Sequence, residues 1–166
     1  MNSIEEEFRM TKTLVAYFSA SGTTASVAAK VAVAANADIF EIEPAVRYTN
    51  EDLNWMDKKS RSSGEMNDKS FRPEIIKKEL DTTKYDRILL GFPIWWYVAP
   101  TIINTFLESY DFSGKKIVLF ATSGGSDFGN TVKELKTSAQ GAEIIEGKRL
   151  NHATKEDIEN WINSLE

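Results

Sequence analysis

Apolar and polar positions along this chain fall into blocks of two kinds. Short, almost continuous apolar runs occupy Thr13 to Phe18, Asp86 to Ile94 and Lys115 to Thr122. Their β-branched and aromatic content predicts strands buried on both faces, as in a parallel sheet. Ala37 to Glu43 instead alternates apolar and acidic residues before Pro44 stops it. That period of two predicts an edge strand with one exposed face. A further short strand is predicted around Glu143 to Glu146.

Helical patterns separate these runs. Ala25 to Ala35 has the alanine content of a helix packed closely on a sheet. Ile102, Ile103, Phe106 and Leu107 recur at helical spacing within Thr101 to Tyr110, and a helix is predicted over Asn130 to Ala139. Ile158, Trp161, Ile162 and Leu165 mark a last helix over Thr154 to Leu165. Pro73 is read as the start of a short amphipathic helix over Glu74 to Leu80, with Ile75, Ile76 and Leu80 on one face. Val46 to Arg72 keeps no sustained period, and a connection that long is usually functional, partly helical or disordered. Within it, Tyr48 and Trp55 either plug the core edge or cover a ligand, and for Trp55 the first reading is preferred because Leu53, Trp55 and Met56 suit the docking of a short helix. Residues 1 to 11 are expected to form an extension. Five alternations of strand and helix imply an α/β fold with a parallel sheet covered on both faces and right-handed crossovers.

Composition narrows the function. At 166 residues the chain is the size of one domain, so 1–166 is expected to form a single compact unit. No apolar run approaches the roughly 20 residues of a membrane-spanning helix, and no span is expected. The acidic amino terminus lacks the basic start and apolar stretch of a secretory signal, which makes cytoplasm the expected compartment. A net charge of −5 argues against nucleic acid as a partner, because phosphate backbones demand a basic surface. With no cysteine there is no thiol nucleophile, disulfide or thiolate metal site. One histidine, His152, cannot build a multi-histidine metal site and is expected at the surface. No metal is expected, and no residue is assigned as a general acid or base.

The chemistry concentrates where strands end. After the first strand come Ser19-Ala20-Ser21-Gly22-Thr23-Thr24, a turn of small residues leading into a helix. The first helical amides have no intrahelical acceptor and the helix dipole is positive there, which favours an anion. The four hydroxyls add donors, and Gly22 allows close backbone approach. A phosphate is the natural occupant; the plainer alternative is a strand-to-helix turn with Ser21 or Thr23 as N-cap. The turn has neither the Gly-Lys-Ser/Thr ending of a triphosphate loop nor Gly-x-Gly-x-x-Gly, and it carries no lysine or arginine. Neutral donors suit a monophosphate held without metal. A receiver domain is disfavoured, since the first strand ends in serines rather than in acidic residues that bind magnesium.

In doubly wound sheets the ligand lies outside the carboxyl ends of the strands, where the strand order reverses. With the order 2-1-3-4-5, the loops after strands one, three and four converge. The second of these carries Trp95-Trp96-Tyr97 between Pro93 and Pro100, and neighbouring side chains in extended backbone point opposite ways, so at least one tryptophan faces the crevice or solvent. The third carries Ser123-Gly124-Gly125-Ser126, with exposed amides or simply a flexible turn. A ligand with a phosphate at one end and a flat, hydrogen-bonding heterocycle at the other fits all three.

The loops Ser-x-Ser-Gly-x-Thr, Pro-x-Trp-Trp and Ser-Gly-Gly-Ser, in this order over residues 12 to 166, resemble those of short-chain flavodoxins. The resemblance implies a flavodoxin-like doubly wound five-stranded parallel sheet and FMN as cofactor. It implies phosphate binding by Ser19, Ser21, Gly22, Thr23 and Thr24. Pro93, Ile94, Trp95 and Trp96 would then hold the edge and face of the isoalloxazine, and Thr122, Ser123, Gly124 and Gly125 its pyrimidine side. Electron-carrying flavodoxins commonly place glycine or asparagine at a peptide after strand three that turns toward N5 of the reduced ring, where this chain offers Trp-Trp-Tyr-Val. Two redox classes fit: an electron carrier docking with a redox partner protein, or an oxidoreductase passing a hydride from a nicotinamide to a quinone-type acceptor, beside Tyr48, Trp55 or Tyr97. A third is a non-redox module for another phosphorylated planar ligand.

Overall fold

The structure, a computed structural model, describes residues 12–123 and 126–165. Five parallel strands form one sheet in the order β2-β1-β3-β4-β5: β1 Thr13–Tyr17, β2 Asp38–Glu41, β3 Arg87–Pro93, β4 Lys116–Thr122 and β5 Glu143–Arg149. Helices α1 (Thr23–Ala35), α2 (Arg61–Asn67), α3 (Thr101–Ser109), α4 (Thr131–Lys136) and α5 (Lys155–Ser164) lie between and after them. Val15 pairs with Ile39 on one side and Leu89 on the other, and Leu89 pairs onward with Val118. The three innermost strands are the ones the sequence marks as continuous apolar runs.

Alternate strand residues feed two cores. Leu14, Ala16, Ile88, Leu90 and Leu119 pack under Ile102, Ile103 and Phe106 of α3. Val15, Leu89, Val118 and Phe120 pack under Val27, Ala28 and Val31 of α1 and Ile158, Trp161 and Ile162 of α5. The small side chains of α1 let it sit close to the sheet, which fixes where its first turn points. Each fully buried Val, Leu, Ile or Phe side chain in these cores contributes roughly 1.5–3 kcal/mol. The alternating stretch does form the edge strand: Ile39 is 49% exposed, while Phe40 packs against Phe106 at a tilt and Tyr110 edge-on.

Residues 74–80 are not helical, contrary to the expectation from Pro73. They run extended, with Ala45 N–H donating to the Glu74 carbonyl (2.9 Å) and Ile76 N–H to the Glu43 carbonyl (2.8 Å). Pro44 and Ile75 form an antiparallel bridge. Two isolated helical turns are marginal in water, and these backbone bonds outside the helix decide the conformation. Ile75 and Leu80 pack against the core while Ile76 is exposed. The helix of this crossover is instead α2, inside the irregular stretch, started by Ser60, whose side chain accepts from Ser63 N–H. β5 runs to Arg149, beyond the predicted Glu146.

Candidate functional site

The ends of β1, β3 and β4 lie side by side, so their loops share one edge of the sheet. α1 begins at Thr23, two residues earlier than the alanine-rich run suggests, with Gly22 as its N-cap at φ 98°. No side chain caps the first turn, and it holds no acidic residue. Neither Ser21 nor Thr23 is therefore an N-cap. The Ser19 hydroxyl instead accepts the Gly22 N–H at 3.1 Å, which shapes the turn, and Ser21 and Thr23 are exposed around it. Gly22 is needed for its backbone: positive φ at this value strains residues with a Cβ. The result is a neutral ring of donors at the positive end of a thirteen-residue helix.

Thr24 turns inward. Its side chain is 2% exposed, and its hydroxyl meets that of Thr122, also buried, at 2.9 Å. These two residues tie the start of α1 to the end of β4.

After β3, Ile94 is buried and its N–H donates to the Thr122 carbonyl at 2.8 Å. Trp95 N–H donates to the Val98 carbonyl (3.0 Å) and Val98 N–H to the Trp95 carbonyl (3.1 Å). Between them Trp96 and Tyr97 hold φ of 50° and 68°. Positive φ at both central residues of a two-residue hairpin is the type I′ turn, normally given to Asn-Gly. Trp95 is partly buried against Phe18 and Tyr48, ring centroids 6.0 and 5.6 Å away and edge-on. Trp96 and Tyr97 are exposed.

After β4, Ser123 N–H donates to Asn151 Oδ1 (2.8 Å) and Asn151 Nδ2 donates to the Ser123 carbonyl (2.7 Å). The Ser123 hydroxyl donates to the Ser126 carbonyl (2.6 Å), which also accepts from Arg149 (3.1 Å). Gly124 and Gly125 lie outside the described residues. Gly129, at φ 52°, packs directly under Tyr97: a Cβ there would stand 2.4 Å from the Tyr97 carbonyl oxygen.

A cleft of about 490 Å³ opens between the loops after β3 and β4 and the β2–β3 crossover, lined by Leu53, Trp55, Ser62, Ile94, Trp95, Trp96, Tyr97 and Ser126. No lining side chain carries a formal charge at neutral pH. Trp55 and Met56 do not dock a helix: they are 68% and 74% exposed, and the indole of Trp55 borders the cleft. Their turn-rich stretch precedes α2 and stands clear of the core.

Behind the cleft lies a polar cluster with no sequence signature. The Tyr48 hydroxyl donates to Glu65 Oε1 at 2.5 Å, Arg61 Nε donates to Glu65 Oε2 at 2.9 Å, and the Arg61 guanidinium sits 3.7 Å over the Tyr48 ring. Arg61 also reaches the Val46 carbonyl at 2.7 Å. Burial, and then the bond to Glu65, hold the Tyr48 phenol far above its ordinary range, so it stays protonated. The cluster fastens α2 and the segment around Tyr48 to the ring of Trp95. Only the spacing Arg61 to Glu65, one helical turn, hinted at an ion pair. Asn151 and Arg149 were equally silent in sequence. His152 is exposed. Among the described residues, no group of three or more potential metal ligands occurs, and no helix is long and apolar enough to cross a membrane.

This is a doubly wound sheet with an uncapped helix start and an aromatic cleft at one strand edge. A flavodoxin family model matches residues 12–165, and the chain belongs to that family. It is 52% identical to a provisionally named flavoprotein from Bacteroides uniformis ATCC 8492, covering 92% of this chain and 98% of that one with a TM-score of 0.87. A second such protein, from Bacteroides eggerthii DSM 20697, is 46% identical over 93% and 98% of the two chains, also at 0.87. A flavoprotein from Lactobacillus acidophilus NCFM, solved in complex with FMN, is 26% identical over 92% and 99%, at 0.67. Among curated proteins none matches.

Proposed function

We propose that this chain binds FMN and serves as an electron-transferring flavoprotein that docks with a redox partner protein. The observation that carries the reading is the uncapped, neutral first turn of α1 on the same strand edge as an uncharged aromatic cleft. Both ends of FMN fit: a monophosphate suits the turn, and a flat heterocycle suits the cleft. The FMN-bound relative from L. acidophilus supports the same ligand.

Ser19, Ser21, Gly22 and Thr23, with the first-turn amide of Thr24, would hold the phosphate. The Ser19 hydroxyl keeps the Gly22 peptide in place, and the Thr24 hydroxyl keeps the turn pinned to Thr122. Pro93, Ile94, Trp95 and Trp96 would border the ring, with Trp95 stiffened by Phe18 and Tyr48. Ser123 to Gly125 would face the pyrimidine side, with Ser123 held through Asn151 and Arg149, while Thr122, buried with its hydroxyl on Thr24, would back them from inside the fold. Bound FMN would supply the redox chemistry, while these residues orient the ring and keep water from it.

The second reading is a two-electron oxidoreductase taking a hydride from a nicotinamide and passing it to a quinone. It is favoured by the turn at 96–97. Rotating its central peptide would convert type I′ to type II′ and put Trp96 in a region reserved for glycine. The turn is thus fixed in one form and has no ready way to answer a change in ring charge.

The test is binding followed by reduction. Purified protein should take up FMN far more tightly than riboflavin, which lacks the phosphate. Anaerobic titration of the loaded protein, followed by visible absorption, should then show a distinct third spectrum at half reduction for a one-electron carrier. Passage through one isosbestic point would turn the assignment to the two-electron class. Failure to take up either flavin would reject both and leave another phosphorylated planar ligand.

A further inference from the structure

We infer that Trp55, on the β2–β3 crossover rather than on any of the three strand-end loops, supplies an aromatic face of the ring slot. The inference rests on the FMN reading and adds a residue to it.

The aromatics near the cleft differ in how free they are to meet a ligand. Trp95 is committed edge-on to Phe18 and Tyr48. In the loop after β4, Phe128 is 2% exposed and packs edge-on against Phe92, so it is turned into the core. Trp96, Tyr97 and Trp55 remain. The first two come from one tight turn on one side of the cleft, whereas Trp55 comes from the crossover. Together they make an exposed aromatic rim, and such a patch on a small soluble domain marks a contact site.

Trp55 is also held in place. Thr49 and Asp52 bond each other's backbone amides, the Met56 N–H bonds Asn54 Oδ1, and the Ser63 hydroxyl bonds the Asp57 carbonyl. These bonds join its segment to α2, which Arg61, Glu65 and Tyr48 in turn fix to Trp95. The cleft offers aromatic and aliphatic walls, the Tyr97 ring and two serines. That lining suits a flat, uncharged, polarizable ring system better than a charged ligand.

The experiment compares Trp55→Ala, Trp55→Phe and Met56→Ala, titrating each with FMN and with riboflavin by flavin fluorescence. Stacking on one aromatic face corresponds to a roughly ten- to hundredfold effect on affinity. Trp55→Ala should weaken FMN and riboflavin by the same factor of that size, since both carry the ring. The flavin it still binds should be brighter, because a stacked indole quenches flavin emission. Trp55→Phe should restore most of the affinity. Met56→Ala, equally exposed but outside the cleft lining, should change neither quantity. Trp55→Ala binding FMN with unaltered affinity and brightness would overturn the inference while leaving the FMN reading intact. A wild-type protein that takes up neither flavin would overturn the FMN reading, and the inference with it. Trp55 is solvent-facing, so the variants should fold; far-ultraviolet circular dichroism checks this.

Discussion

The hydroxyls of Thr24 and Thr122, ninety-eight positions apart in sequence, meet at 2.9 Å inside the seam between the first turn of α1 and the last residue of β4. Both are buried, at 2% and 3% exposed. A pair like this is asymmetric in its energetics. Removing one partner strands the other hydroxyl, whereas removing both with isosteric side chains leaves nothing unpaired.

Thr24→Val alone and Thr122→Val alone should therefore each destabilise the fold by about 1–3 kcal/mol. The double variant should cost less than the sum of the two. Urea unfolding of all four proteins closes the cycle and gives the coupling directly. Additive costs would show that the two hydroxyls do not depend on each other.

Gly129 carries the aromatic turn on its back. A methyl group there would meet the Tyr97 carbonyl at 2.4 Å, and the φ of 52° disfavours any Cβ in the first place. Gly129→Ala should cost about 1–3 kcal/mol of stability through backbone strain alone. It should also push Trp96 and Tyr97 off the cleft, so flavin affinity falls as well. Chemical unfolding and a flavin titration on the same preparation check both. Loss of stability with undiminished affinity would show that the turn is not positioned from below.

What could be read from sequence divides along a physical line. The central strands were legible because burial on both faces forces an uninterrupted apolar run, as in Ile88 to Leu90 and Ile117 to Ala121. The small-residue turn leading into α1 was legible because its residues are consecutive. The 74–80 segment was misread: Ile75, Ile76 and Leu80 fit a helix face equally well, and only pairing with Glu43 to Ala45, thirty residues away, sets the backbone. Of the two readings of Trp55, burial was preferred for a related reason. Its surroundings, Trp96 and Tyr97, come from another loop, and hydrophobicity alone argues for burial. The cluster of Tyr48, Arg61 and Glu65 and the brace from Asn151 to Ser123 are contacts between distant segments, which no local pattern encodes.

Tyr97 is a place where stability and binding should part. Its φ of 68° costs a residue with a Cβ roughly 1–2 kcal/mol, and the side chain is 63% exposed, so little packing repays that strain. Tyr97→Gly relieves it but adds roughly 0.4–1 kcal/mol of conformational freedom to the unfolded chain. The net expectation is a more stable protein, by up to about 1.6 kcal/mol, with a melting temperature raised by no more than about 6 °C. Tyr97 also lines the cleft, so the same variant should bind FMN more weakly. A melting temperature that falls would mean that the Tyr97 ring contributes more packing than its exposure suggests.

Stability should fall on the alkaline side for an identifiable reason. The Tyr85 hydroxyl donates to Asp38 Oδ2 at 2.7 Å, and burial first, then that bond, push its pKa up to about 12; Tyr48 is raised further by burial and Glu65. An unfolded tyrosine ionises near pH 10. Above that pH the unfolded chain has lost protons that the folded chain keeps, so the unfolding free energy declines as pH rises. For Tyr85 the decline runs from pH 10 to about 12, at up to about 1.4 kcal/mol per pH unit. Tyr48 adds a similar slope that continues beyond. Below pH 10 both contributions are fully present. Tyr85→Phe is the cleaner probe, because Asp38 is exposed and tolerates losing its partner, whereas Tyr48→Phe would leave Oε1 of the buried Glu65 unpaired and Arg61 as its remaining partner. Urea midpoints at pH 9, 10, 11 and 12 should fall less steeply in Tyr85→Phe than in the parent. Parallel curves would mean that Tyr85 ionises as readily folded as unfolded, and that its bond across to the edge strand does not hold the proton.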